Sequence, residues 1–311
     1  MLDGKVIVVV VPAYNVEREI GPAVERLPKF VDHIIVVNDS SVDQTKEKVE
    51  AISDPRIVLL NNGVNEGVGG ATIAGLKKGL ALGGDIFVKY DGDGQMDSEK
   101  MEDLISPLFA GYDYAKGNRF IHTRELTRKM PKLRLMGNFV LTFFTKLASG
   151  YWHIFDPQNG YLAMTTKILK SLDLDSFHKR YFFENEMLVH LNICRARVRD
   201  VSIPAKYGDE KSSLKIWKIL FSFPWLLLKR FIRRIYFRYI LYDFSVIGIF
   251  YVMGSILLVW GTMFGAYAWT KSIVTGIVTT TGTVMIAVLP FIIGFELFLQ
   301  AIVMEVQQGE K

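Results

Sequence analysis

Cysteine is almost missing from this sequence: among 311 residues only Cys194 carries a thiol. An intrachain disulfide is excluded, and so is the paired cysteine spacing of a structural zinc site, so the fold relies on neither staple. No Walker A segment occurs. The nearest thing to a dinucleotide fingerprint, Gly67-Val68-Gly69-Gly70-Ala71-Thr72, ends in Thr where Gly or Ala is needed and lies far from the first strand. Hydride transfer and nucleotide hydrolysis therefore drop out. A secretory leader is not expected either, because the apolar run Val6 to Val11 is short and soon meets Pro12 and Tyr14-Asn15. Large excess charge is also lacking. The net +5 is modest, and much of it sits at Lys229, Arg230, Arg233, Arg234 and Arg238, beside an apolar tail. That placement favours an anionic membrane face over nucleic acid as partner.

What is present divides into two parts. The length allows one catalytic domain plus an appended region, since single cores rarely grow far beyond about 250 residues. Hydrophobic residues make up 50% of the chain, but most charges fall in the first two thirds, which concentrates the apolar excess late. In the first part, β-branched runs at 6–11 and 33–37 flank a helical pattern from Glu17 to Leu27. A helix near Asp43 to Ile52, a strand at Ile57–Leu60, a helix from Gly70 to Leu82 and an apolar strand at Asp85–Tyr90 follow. Alternating strands and helices predict an α/β fold with a mostly parallel sheet and helices on both faces. Ligands of such sheets bind beyond the carboxyl ends of the strands. Asn15, Asp39, Asn65 and Asp91/Asp93 all fall at or just after such ends, so four loops are expected to converge on one cleft.

The second part begins with mixed apolar and basic residues from Leu214 to Leu241, the pattern of amphipathic helices at a bilayer surface, with Pro224 breaking or kinking them. Phe244 to Thr270 holds no charge, and it exceeds the roughly 20 residues a membrane crossing needs. After Lys271, Ile277 to Met304 is again apolar, interrupted by Pro290 and Glu296. The expected organisation is a catalytic domain over 1–211, membrane-surface helices over 212–242 and a two-helix anchor over 243–311. Basic residues before the first span place the large domain and the short tail in the cytosol. Glu296, toward the end of its span, is expected to reach the interface or a partner group.

Chemistry concentrates at Asp91-Gly92-Asp93-Gly94-Gln95-Met96-Asp97, directly after an apolar strand. Two carboxylates one residue apart at a strand end can share a hard divalent cation, which in turn neutralises a diphosphate. A plain solvated turn has the same local composition, so the wider order of motifs matters. Pro12-Ala13-Tyr14-Asn15 follows the first strand, Asp39-Ser40-Ser41-Val42-Asp43-Gln44-Thr45 the second, and Asn65-Glu66-Gly67-Val68-Gly69-Gly70-Ala71 opens a later helix. Further on come Gly117-Asn118-Arg119, Asp156-Pro157-Gln158-Asn159-Gly160-Tyr161 and Tyr181-Phe182-Phe183-Glu184-Asn185-Glu186. In that order the motifs resemble those of family 2 glycosyltransferases of the GT-A fold across about the first 210 residues. The one departure of note is Ser40, which stands where that family has Gly.

The resemblance implies a role for each matched position. Asp39 would bond the nucleobase, framed by Pro12, Ala13, Tyr14, Asn15 and Gly67. Asp91 would contact the ribose or the metal, and Asp93, with Gln95, would hold Mg²⁺ or Mn²⁺ on the diphosphate. A helix cap for Asp39 and a turn former for Asp93 are the structural alternatives. With two C-terminal spans the chain looks like polyprenyl-phosphate glycosyltransferases, relatives of dolichol-phosphate mannosyltransferase. The implied donor is a UDP- or GDP-linked sugar and the implied acceptor a polyprenyl phosphate, without nucleic acid and with self-association left open. Arg119, Arg134 and Arg128 are candidates to grip the lipid phosphate bidentately. Gln158, Glu184, Glu186 and Lys211 fall on the acceptor side, Lys211 in place of an Arg in relatives.

An ionised lipid phosphate needs no strong base, and the expected chemistry is inverting transfer. A sugar hydroxyl as acceptor would need one, with Asp156, Glu184 and Glu186 as the available carboxylates. A non-catalytic scaffold or a lipid-sugar translocation subunit is the third reading; intact Asp91 and Asp93 argue against the scaffold, and two spans are few for a path.

Overall fold

The computed structural model describes residues 1–120, 132–203 and 216–309. They form two compact units, Met1–Arg230 and Phe231–Lys311. The first contains β1 (Ile7–Ala13), α1 (Ile20–Glu25), β2 (His33–Asn38), α2 (Thr45–Glu50), β3 (Ile57–Asn61), α3 (Val68–Ala81) and β4 (Ile86–Lys89). It continues with α4 (Met101–Phe109), β5 (Tyr114–Asn118), α5 (Lys132–Ser149), β6 (Leu162–Thr165), α6 (Thr166–Ser171), α7 (Phe183–Ile193) and β7 (Val198–Ser202). α8 (Ile216–Arg234) carries the chain into the second unit, which holds a π-helical turn (Ile235–Leu241), α9 (Val246–Thr275) and α10 (Thr281–Gly309).

The described strands make one sheet in the order β3-β2-β1-β4-β6-β5-β7. β3, β2, β1 and β4 run parallel, as the βα alternation requires, with Val9 opposite both Ile34 and Val88. β6 is the reversed strand, antiparallel to β4 and β5, while β7 pairs parallel with β5. Because β1 and β2 are apolar at nearly every position, both faces can be buried. Val8, Val10, Ile35, Val37 and Phe87 meet α3 and α7 on one face. Ile7, Val9, Val11, Ile34, Val36 and Val88 meet α1 and α4 on the other. Each such side chain contributes about 1.5–3 kcal/mol when removed from water, so this three-layer core is the main anchor for the loops at the strand tips.

Register has one consequence the strand order alone does not reveal. Leu162 on β6 lies opposite Lys89 of β4 on one side and Lys116 of β5 on the other. Two lysines thus share one row and one face of a buried sheet, and both side chains are almost fully enclosed.

Two helices leave apolar side chains uncovered. On α5, Met136, Phe139, Val140, Phe143 and Phe144 are exposed at the spacing of one helical face. On α8, Trp225, Leu228 and Ile232 are exposed, and Lys229 lies over the Trp225 ring at 5.1 Å. The opposite side of α8 is buried, with Phe223 packed edge-on against Phe182. Pro224 neither breaks α8 nor ends it; helix continues on both sides.

In the second unit, α9 and α10 are long and apolar enough to cross a membrane. They approach closely where small residues meet: a Cβ on Gly254 would stand 2.9 Å from the Gly294 carbonyl oxygen, and one on Gly294 2.8 Å from that of Gly254. Glu296 is hydrogen-bonded at 2.9 Å by Gln300, one turn along its own helix. The buried acid of this unit is instead Glu305. It pairs with the fully buried Arg234 and accepts hydrogen bonds from Tyr239 (2.6 Å) and Tyr251 (3.1 Å).

Candidate active site

The loops beyond β1, β2 and β3 are stitched to one another by short polar side chains. Asn15, in a left-handed conformation (φ +53°) that Asn tolerates, donates its backbone N–H to Ser41 Oγ and accepts from the Val42 N–H. Asp39, 2% exposed, accepts from the Asn62 amide (2.7 Å), the Glu66 N–H (3.0 Å) and the Gly67 N–H (2.7 Å). Its carboxylate therefore shapes the 62–67 loop directly. Gly67 has φ +86°, and a Cβ there would meet the Lys179 carbonyl oxygen at 2.8 Å, so no larger residue fits. Ser40 keeps the turn that Gly supplies in the resembling family: it adopts φ +59° and donates its hydroxyl to the Asn62 carbonyl at 3.0 Å. Pro12 and Ala13 end β1 in the buried sheet, while Tyr14 is exposed beside them.

The acidic turn follows β4. Two buried phenols hold it: Tyr90 donates to the Met96 carbonyl (3.0 Å) and Tyr161 to that of Asp97 (3.1 Å), and the rings pack edge to face. Burial pushes the Tyr90 hydroxyl up to about 12; Arg26 opposes this, and the negative Asp93, Asp97 and Asp91 add to it. Within the turn, the Gln95 N–H donates to Asp93 Oδ1 at 3.1 Å. Carboxylate and amide oxygens at an open turn suit a hard cation. Among the described residues no three His, Cys, Asp or Glu side chains converge into a closed cage.

Sequence reasoning missed the centre of this site. Lys89 Nζ, 1% exposed, lies 2.5 Å from Asp91 Oδ1 and 3.4 Å from Glu184 Oε1. Burial alone would lower its pKa, but Asp91 and Glu184 outweigh that and hold it above the ordinary lysine value. Lys116, its neighbour across Leu162, donates to the Asn159 carbonyl at 2.5 Å. Burial pulls Lys116 down to about 8, against the opposing pull of Glu184 and Asp156. A lysine inside an otherwise apolar strand, as in Ile86-Phe87-Val88-Lys89 and Tyr114-Ala115-Lys116, was the available signal. Such a charge must find a buried counter-ion.

Gly160 closes the cluster. A Cβ there would stand 2.5 Å from Asp91 Oδ2 and 2.6 Å from Lys89 Nζ. Asn159 fixes this loop, donating its amide to the Gly117 carbonyl (2.8 Å) and accepting from the Tyr161 N–H (3.0 Å).

On the other flank, Arg119 grips Asp156 with two parallel bonds, Nε to Oδ2 at 2.7 Å and Nη2 to Oδ1 at 2.9 Å. Asp156 is 1% exposed, so its charge is spent on orienting Arg119. Gln158 reaches Asn185 at 3.5 Å. Glu184 and Glu186 are not brought together. Glu186 faces Arg230 (2.5 Å), the His178 N–H (2.6 Å) and His190 (3.7 Å). Lys211 and Arg128 lie outside the described residues, as does the side chain of Arg134.

The profile of Glycosyl transferase family 2 matches residues 8–173. The chain is 32% identical over 221 residues to the UDP-N-acetylglucosamine–dolichyl-phosphate N-acetylglucosaminyltransferase of Methanococcus voltae, covering 66% of this chain and 87% of that protein. It is 27% identical over 210 residues to the undecaprenyl-phosphate mannosyltransferase of Micrococcus luteus, covering 66% and 84%. Among solved structures, glucosyl-3-phosphoglycerate synthase of Mycobacterium tuberculosis, in complex with Mn²⁺ and UDP-glucose, superposes with a TM-score of 0.57 at 22% identity. That match covers 73% of this chain and 79% of the synthase, and it is a likeness of fold.

Proposed function

The chain belongs to glycosyl transferase family 2, and from that premise we propose that it moves one sugar, with inversion, from a nucleotide sugar to a polyprenyl phosphate at the cytosolic face of a membrane. One observation carries the choice of acceptor. All three carboxylates available as a general base are already paired with cations: Asp156 with Arg119, Glu184 with Lys89, and Glu186 with Arg230. A hydroxyl acceptor needs a carboxylate that can take its proton. A lipid phosphate arrives ionised, and a site without an idle base serves it better. The two named relatives support the same acceptor class, since each acts on a polyprenyl-type phosphate.

In this reading Asp39 keeps the 62–67 loop in place for the nucleotide, and the Tyr90 and Tyr161 hydroxyls hold the acidic turn at the strand tip. Arg119, oriented by Asp156, presents positive charge toward the acceptor phosphate. Asp93 and Gln95 would hold Mg²⁺ or Mn²⁺, which when bound supplies positive charge opposite the departing diphosphate. Pro12, Ala13 and Tyr14 line the approach of the base. The exposed apolar faces of α5 and α8, with Lys229 and Arg233 beside the latter, suit a protein that works against a lipid surface. α9 and α10 serve as the two-span anchor.

The test is to incubate membranes containing the chain with labelled UDP- and GDP-sugars and polyprenyl phosphate, with and without Mn²⁺. A labelled anionic lipid that vanishes with Asp93→Ala is the expected result. Label found only on an oligosaccharide would overturn the acceptor assignment.

A further inference from the structure

The loop that Asp39 holds from one side is backed from the other by main chain far along the sequence. The Gly70 N–H donates to the Lys179 carbonyl at 2.9 Å. A Cβ on Gly67 would stand 2.8 Å from that same oxygen, and one on Gly69 2.7 Å from the His178 carbonyl oxygen. Lys179 Nζ also reaches Glu66 Oε1 at 3.0 Å. Residues 66–70 therefore rest on the 178–180 backbone, at positions 67 and 69 too closely for any Cβ, and a shift of that backbone must shift the loop.

Glu186 fixes the 178–180 backbone. It is buried in α7, and its two oxygens have separate partners: Oε2 accepts the His178 N–H at 2.6 Å, while Oε1 lies 2.5 Å from Arg230 of α8 and 3.7 Å from His190. We propose that Glu186 is a positioning residue for the donor side of the site: by holding the His178 N–H against α7, it seats the backbone on which the nucleotide loop rests. The inference rests on reading the 62–70 loop as the nucleotide's and deepens that reading. It moves Glu186 from the acceptor side, where its motif puts it, to the donor side. Arg230 supplies the counter-charge that a carboxylate buried there requires.

The experiment uses the full-length chain in detergent and two double variants, each of which avoids leaving one buried charge alone. Glu186→Leu with Arg230→Leu removes both charges and the acceptor for the His178 N–H. Glu186→Gln with Arg230→Gln removes the charges but keeps a carbonyl oxygen for that N–H. Binding of UDP and of GDP is measured by calorimetry, and KM is measured separately for the nucleotide sugar and for polyprenyl phosphate. The leucine pair is expected to weaken nucleotide binding and raise the donor KM roughly tenfold, the effect of losing a hydrogen bond to a charged group, with the lipid KM unchanged. The glutamine pair should stay close to wild type. Wild-type nucleotide affinity in a folded leucine pair overturns the assignment and leaves the loop reading standing, as does an equal loss in both pairs or a rise in the lipid KM. Should the leucine pair fail to fold, hydrogen exchange of the wild-type chain decides. Slower exchange on nucleotide addition at 66–70 and 178–180 together supports the assignment, and slowing at 66–70 alone overturns it. Bound nucleotide that protects neither segment overturns the loop reading as well.

Discussion

Replacing Gly160 by Ala probes the centre of the site with a single methyl. The added Cβ would lie 2.5 Å from Asp91 Oδ2, 2.6 Å from Lys89 Nζ and 3.2 Å from the Met96 methyl. Ordinary carbon contacts begin at about 3.5 Å, so the two charged atoms must each move by close to 1 Å or the 156–161 loop must lift. Overpacking of this kind costs about 1–3 kcal/mol. In a unit of this size that lowers the melting temperature by about 2–4 °C for each kcal/mol. The effect on turnover should be larger than the effect on stability, because a displacement near 1 Å at a reacting centre can reduce rate about a hundredfold. The assay is sugar transfer to polyprenyl phosphate together with thermal unfolding of the same preparation. Gly21→Ala is the control: nothing lies within 4 Å of a Cβ there and the residue is inside α1, so activity should be unchanged. Full activity and an unchanged melting temperature in Gly160→Ala would refute the claim that this backbone seats the Lys89–Asp91 pair.

Three further perturbations follow from buried charges. Burial alone would raise the Glu186 carboxyl, but the His190 ring 3.7 Å away, the hydrogen bond from the His178 N–H and the charge of Arg230 hold it below the usual carboxylate range. A depressed carboxylate stabilises the fold above its unfolded pKa and loses that contribution as pH falls through the folded one. Glu186→Gln should therefore cost about 3 kcal/mol at neutral pH and show a flatter stability profile below roughly pH 4, measured by urea unfolding across pH. Lys116 sits at about 8 against its ordinary 10.5, so between those values the unfolded chain binds the extra proton and stability rises with pH. Lys116→Met should remove that rise, read as the difference between the two unfolding curves. Arg234 and Glu305 are each almost fully buried. Glu305→Leu should destabilise the second unit by about 3–5 kcal/mol by orphaning Arg234, while the double change with Arg234→Met recovers most of it, measured by melting in detergent.

Much of the architecture could be read from composition and period. The first four strands announced themselves as β-branched runs because both faces of a parallel sheet must be apolar, and the helices between them kept their 3.6-residue pattern. The motif residues Asn15, Asp39, Asp91 and Asp93 drew attention because they follow strands, and sheets of this kind bind ligands beyond the carboxyl ends of their strands. The pairing of Arg119 was harder to read. Asp156 and Arg119 are 37 positions apart in sequence, and their bidentate pairing appears only once β5 and the loop before β6 are adjacent. Lys89 and Lys116 were passed over for a similar reason: the residue that aligns them, Leu162, sits on a reversed strand that no βα alternation predicts. In the tail, Glu296 drew notice because it interrupts an apolar run, whereas Glu305, near the end of its helix, is the acid that the fold buries. Nor did the sequence pattern of α5 reveal that its Phe139, Val140 and Phe143 face outward, since an apolar stripe at helical spacing ordinarily points to a core.

An acceptor that brings its own negative charge suits a site in which Asp156, Glu184 and Glu186 are each paired with a cation. The most direct measurement offers the purified chain one labelled nucleotide sugar and, side by side, polyprenyl phosphate and the matching uncharged polyprenol. Transfer to the phosphate with none to the alcohol is the predicted result. Comparable transfer to both would mean that a base operates in this site, and would contradict the account.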